Sequence, residues 1–147
     1  MAAYVKYQKG TKALLEAVDC SLDSWRLILS NTAPNVANDT TAASASELVT
    51  DGGYTNGGAT CTIVSSTQTG GVYKLVLSAP AAPTWTAFGA GFTFRYVILY
   101  NLTRTQCIGY WDYGSSVVMN GTNGDTFTPT LDAANGVFTV KIGRAHV

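Results

Sequence analysis

General acid–base chemistry needs a titratable side chain beside the bond it serves, and this sequence supplies few candidates. The single histidine, His146, is the penultimate residue, and nothing in the sequence sets it beside a nucleophile or a carboxylate. Asp112, between Trp111 and Tyr113, and Asp125, before Thr126, are the carboxylates that a glycoside hydrolase could pair. That chemistry would require them to face each other across a cleft of about 5 to 10 Å. Asp125 also closes the turn Asn120-Gly-Thr-Asn-Gly-Asp125, and the turn is the stronger reading. The same turn superficially resembles a calcium loop but lacks the later glutamate that completes one. Cys20, Cys61 and Cys107 have neither Cys-x-x-Cys spacing nor histidine companions, which disfavours zinc. The glycine-rich run Asp51-Gly-Gly-Tyr-Thr-Asn-Gly-Gly58 lacks the Lys-Ser/Thr ending of a phosphate-binding loop and reads as a surface turn. The expectation is a non-enzymatic chain with no catalytic, cofactor-binding or metal-binding residue.

Aromatic side chains are the remaining chemical resource. Tyr96, Tyr100, Tyr110, Trp111 and Tyr113 lie on two adjacent predicted strands, where core packing accounts for most of them. Aromatic faces with polar rims also suit sugar rings, and Trp85 and Trp111 are the candidates for such a platform. Amphipathic aromatics are enriched at protein interfaces as well. The candidate interface or glycan platform therefore comprises Tyr4, Tyr7, Trp85, Tyr110, Trp111 and Tyr113.

The elements that would position these residues read as mainly β, an antiparallel sandwich or jelly roll with one N-terminal helix. Residues 4 to 18 hold Tyr4, Tyr7, Leu14, Leu15 and Val18 at broadly helical spacing, predicting one amphipathic helix weakened by Gly10 and Thr11. Trp25 to Leu29 reads as the first strand and Asn31 to Asp39 as a long loop of turn-forming residues. Residues 40 to 50 fit a short helix or an edge strand. Ala59 to Val64 and Val72 to Leu77 flank a Gln-Thr-Gly-Gly turn and predict a hairpin. Pro80 and Pro83 make residues 79 to 86 a connection, because proline donates no ladder hydrogen bond. Phe92 to Tyr100 is the longest apolar strand, and Gln106 to Tyr113 pairs with it before the breaker Gly114. Thr126 to Thr128 and Val137 to Ile142 complete about seven short strands of one domain.

The 147 residues suffice for one core, burying about two thirds of the unfolded surface without disulfide or metal. The chain is 46% hydrophobic, yet only 12% charged, with nine basic and nine acidic side chains and no formal net charge. No long-range field would draw nucleic acid or anionic lipid, and a neutral surface suits assembly, here a homo-oligomer. Three well-separated cysteines argue for buried free thiols rather than a secreted disulfide framework. No apolar run approaches a membrane span, and the start does not resemble a signal peptide, so synthesis and folding in a cytoplasm are expected.

Several segments together resemble a family of small proteins encoded in the structural gene modules of tailed bacteriophages, over nearly the whole chain. They are Met1 to Tyr4, Leu29 to Asn35, Gly53 to Gly58, Gln68 to Leu77, Phe94 to Asn101 and Gly109 to Ser115, the last two being the most specific. The resemblance implies a virion component. For a chain of this kind it favours a capsid decoration, or cement, protein bound to the major capsid protein on the shell exterior, with residues 1 to 20 as a helix or arm reaching a neighbouring subunit. The alternative is a carbohydrate- or receptor-binding module of a tail or head fibre, which requires Trp85 or Trp111 to be exposed.

The C-terminal Ile142-Gly-Arg-Ala-His-Val147 does not resemble the family's last strand and can be read as a translated sequencing adapter, ATC GGA AGA GCA CAC GTC. Residues 142 to 147 are therefore hypothesised to be non-native. Resequencing the 3′ end of the gene from independent template is expected to replace these codons; recovery of the same six would contradict the hypothesis.

Overall fold

The computed structural model describes residues 2 to 141, so the terminal hexapeptide and His146 lie outside the described residues. Nine strands and one helix follow in the order β1 (Tyr4–Lys6), α1 (Gln8–Glu16), β2 (Trp25–Ser30), β3 (Ala59–Thr69), β4 (Val72–Ser78), β5 (Trp85–Thr86), β6 (Phe92–Asn101), β7 (Gln106–Met119), β8 (Thr126–Phe127) and β9 (Phe138–Lys141). Seven strands form one antiparallel sheet in the order β1-β7-β6-β2-β3-β4-β9, and β5 pairs with β8 apart from it. The fold is mainly β and sandwich-like, a curled sheet with one helix, as the spacing of short strands and turns predicts.

Strand alternation divides the apolar residues between two faces. Leu27 and Leu29 of β2 point into the main core with Trp25, Phe94, Val97 and Leu99, all almost fully buried. Ile28 points the other way, into a smaller cluster with Tyr7, Ala45, Ile98, Tyr100 and Cys107. Covering both faces explains why β2 and β6 read as nearly continuous apolar runs rather than as an alternating pattern. The β3–β4 hairpin turns through Gly70 and Gly71 at φ 58° and 79°, the two positive values that a two-residue turn with the twist of its strands demands.

Five boundaries depart from the sequence reading, the first being β3, which runs past the expected end at Val64 to Thr69 because Ser65 to Thr69 pair with Val76 to Val72. The predicted helix over residues 4 to 18 begins only at Gln8 and ends at Glu16, because Tyr4–Lys6 is instead a strand paired with Gly109 to Trp111. That segment is no free arm: Tyr7 is wholly buried, its amide donates to Ile108 O at 3.0 Å, and α1 crosses β7 so closely that a Cβ on Gly10 would lie 2.9 Å from Ile108 Cα. Removing residues 1 to 18 would thus expose the core rather than merely detach a tether. Gly114 does not end β7; Tyr96 pairs with Asp112 and Phe94 with Val117, so the intervening residues bulge and the strand resumes to Met119. Residues 40 to 50 are neither helix nor regular strand but turns ending in one bridge, Ser30 to Glu47. Trp85–Thr86, within the predicted connection, forms β5.

The middle strand β2 pairs with β6 along its full length but with β3 only from Trp25 to Leu27. Beyond Leu27 the loop from Ala45 to Gly58 supplies the missing partners. Leu48 N donates to Leu29 O at 2.9 Å, Leu29 N donates to the Tyr54 hydroxyl at 3.1 Å, and Ser30 Oγ donates to Ala45 O or Ser46 O at 2.9 Å. Tyr54 is 1% exposed, and its hydroxyl donates a hydrogen bond to Glu47 Oε1 at 2.6 Å. Tyr54→Phe is expected to destabilise by about 2 kcal/mol, since it leaves the buried Leu29 amide without its acceptor and removes one of the two donors to Glu47 Oε1. Tyr7→Phe, which removes a buried hydroxyl with no partner among the described residues, is expected to leave stability unchanged or raise it. Urea melts of the two variants check this; equal losses would contradict the assignment.

Candidate functional site

The six aromatics singled out from sequence do not converge on one surface. Tyr4 packs on Trp111 at 5.0 Å between ring centroids, and Tyr7 meets Tyr110 edge-on at 5.6 Å on the opposite face of the sheet. Trp85 lies flat on Phe127 at 5.9 Å with an interplanar angle of 9°, and Tyr54 closes its other side at 5.8 Å. Trp85 is 4% exposed and Trp111 8%, so the two rings that a sugar platform would need are core residues, a correction to that reading. Pairing between segments distant in sequence accounts for this. Trp85 is drawn inward by β5 pairing with β8, and Trp111 by β7 pairing with both β1 and β6. Tyr113, packed edge-on against Phe94 and Phe127, is the exposed one of the six.

Both carboxylates considered for hydrolysis are occupied by structural bonds. Asp112 accepts from Arg95 Nε at 2.8 Å and Nη2 at 3.0 Å, a bidentate fork, and from Gly114 N at 2.7 Å, which braces the bulge in β7. Hydrogen bonds from Arg95 and Gly114 hold its pKa below the ordinary value of 3.8. Asp125 accepts from Asn120 N at 2.9 Å and closes the 120 to 125 turn, as its sequence position suggested. Asp132 is likewise lowered by hydrogen bonds from Asn135. Groups lowered on folding contribute stability at and above the unfolded value and lose it as the pH falls through the folded one.

Two polar anchors have no counterpart in the sequence reading. One is the Tyr54–Glu47 pair, where Glu47 Oε1 also accepts from Gly57 N at 2.6 Å and the Gly57 carbonyl accepts from Arg26 Nη1 at 2.9 Å. A single large aromatic between two glycine pairs was the available signal, because such a ring must either anchor the loop or hang in water. The other is Asp23, 5% exposed, whose Oδ2 accepts from Asn101 Nδ2 at 3.1 Å, Arg104 Nε at 3.2 Å and Asp19 N at 3.1 Å. It ties the turn after β6 to the approach to β2. These anchors hold loops in place.

What remains for a partner is the surface. Large apolar side chains stand out from it, among them Leu15 at 77% exposure, Val49 at 75%, Val118 at 69% and Phe88 at 66%. Phe88 sits where three loops meet: its amide donates to Gly52 O at 2.9 Å, its carbonyl accepts from Gly91 N at 2.9 Å, and its backbone is too close to Gly121 to admit a Cβ there. Gly52, Gly89 and Gly91 all have positive φ at this end of the molecule. The backbone around Phe88 is thus closely packed while its ring projects into solvent. A ring carried on a fixed backbone can exclude water from a partner with little ordering of the loop itself.

The thiols differ in the same way. Burial pushes Cys61 and Cys107 up to about 12, whereas Cys20, half-buried, is raised above its usual value by burial. An alkylating reagent applied to the native protein at mildly alkaline pH is expected to modify Cys20 first and to spare the other two. Equal labelling of all three, read by mass spectrometry, would contradict this burial.

Among the described residues no three histidine, cysteine or acidic side chains gather as a metal site, and no helix is long and apolar enough to cross a membrane. Comparison with protein-family models, with curated proteins and with solved structures finds no match to the chain.

Proposed function

We propose that this chain is a structural protein of a tailed-phage virion, a capsid decoration protein that binds the major capsid protein and stabilises the shell. It would be made in the host cytoplasm and mounted as a homo-oligomer on the capsid exterior. The resemblance of its segments to phage structural-module proteins motivates the reading. The observation that carries it is the projecting Phe88 ring on a well-anchored loop cluster of a chain with no net charge. Aromatic side chains are enriched at protein interfaces, where an already projecting ring can anchor a contact. A neutral, charge-poor exterior offers little repulsion to close packing of copies on a lattice.

A decoration protein needs no catalytic group, and Asp112, Asp125, Asp23 and Glu47 are all engaged in holding loops and bulges. The fibre reading, a glycan-binding module, loses its two best rings to the core, and no other observation favours it.

Co-sedimentation with capsids assembled without this chain tests the proposal. The wild-type protein is expected to pellet at saturating, lattice-like stoichiometry. Phe88→Ser is expected to weaken attachment about 30-fold, the cost of removing an interface anchor worth about 2 kcal/mol, with an unchanged melting temperature. Absence of wild-type binding, or equal binding by the variant, would count against it.

A further inference from the structure

The sheet has two ends, β1 and β9, and they face each other. Each of the six steps from β1 through β7, β6, β2, β3 and β4 to β9 is antiparallel. An even number of reversals leaves β1 and β9 running in the same sense, and the two are not paired with each other among the described residues. Their edges nevertheless line common clefts. One, of about 240 Å³, lies between Lys6 of β1, Leu14 and Leu15 of α1, and Phe138 to Lys141 of β9. Another, of about 150 Å³, lies between Ala2 and Tyr4 on one side and Gly136 and Val137 on the other. A larger open groove of about 640 Å³ continues beside α1 along Leu14, Leu15 and Val18, facing Tyr73, Phe138 and Val140.

From this seam we infer a second binding site, one that receives a single extended segment of a partner polypeptide by strand addition. Among the described residues the outer edge of β9 has no strand beside it and offers backbone donors and acceptors, which is the usual basis of such recognition. A segment running antiparallel to β9 is also antiparallel to β1, so one inserted strand satisfies the direction of both edges. Its alternate side chains would meet the apolar wall of Leu15, 77% exposed, and Val140, 43% exposed.

Charge fixes the polarity. Because β1 and β9 share a sense, their C-terminal residues Lys6 and Lys141 lie at the same end of the seam, and both line the same cleft. Lys12, on the next helix, already faces Glu16 at 3.6 Å. Lys6 and Lys141 are in no ion pair among the described residues. An antiparallel occupant brings its N-terminal end to these two ammonium groups. The ligand is therefore an extended segment with apolar residues at every second position and a carboxylate at its N-terminal end. This site stands apart from the Phe88 loops and does not depend on the virion reading.

Selection of a displayed library of random linear dodecapeptides on the full chain tests it. Enriched peptides are expected to alternate apolar and polar residues behind an N-terminal Asp or Glu. Leu15→Lys and Val140→Lys, both at exposed positions, are expected to weaken them at least tenfold without lowering the melting temperature, and Lys141→Glu to reverse the preference for an acidic end. Failure to enrich, enrichment of unpatterned peptides, or equal binding by the two lysine variants would overturn the site. Binding that appears only after removal of residues 142 to 147 would assign the seam to the chain's own continuation and equally overturn it.

Discussion

The middle strand of a sheet cannot leave backbone amides unpaired, and here that constraint falls on Leu29. β2 outruns β3 after Leu27, so the loop from Ala45 to Gly58 must take over as partner. Its bonds to Leu29 and Ser30, and the Tyr54–Glu47 pair behind them, convert a glycine-rich surface loop into part of the sheet. Gly58 shows how tight the fit is: it holds φ 68°, and a Cβ there would lie 2.8 Å from the Ile28 side chain. Phe88 N in turn donates to Gly52 O, so the exposed ring is positioned by the same loop.

The distribution of polar groups follows from the same economy of bonds. A chain with few charges has placed several of them as braces, Asp23 under the β6–β7 turn, Glu47 under the glycine loop and Asp112 on the bulge in β7. Buried polar groups of this kind hold one geometry because each is expensive to leave unpaired. Asp23, Glu47 and Asp112 thus stabilise shape.

Much of the architecture was legible in the residues. The hairpin through Gly70-Gly71 and the long Phe92 to Tyr100 strand carry local signals, turn glycines and β-branched or aromatic runs, that tertiary structure did not override. The N-terminal element was less legible, because Tyr4, Lys6 and Tyr7 fit helical and strand spacing almost equally over so few residues. Only the pairing with β7, distant in sequence, selects the strand. Gly114 looked like a terminator because a bulge and a strand end carry the same glycine signal. The site was the least legible: a tryptophan beside polar residues is compatible with a platform or a core, and it is β5 pairing with β8 that buries Trp85. Phe88, by contrast, carries no pattern in sequence, since its exposure is set by contacts with Gly52 and Gly121 far along the chain.

Cryo-electron microscopy of intact virions encoding this chain tests the central claim most directly. The expected result is density matching this curled sheet repeated over the capsid exterior, with the Phe88 loops against the major capsid protein. Density confined to the tail tip or fibres, or absent from the particle, would contradict it.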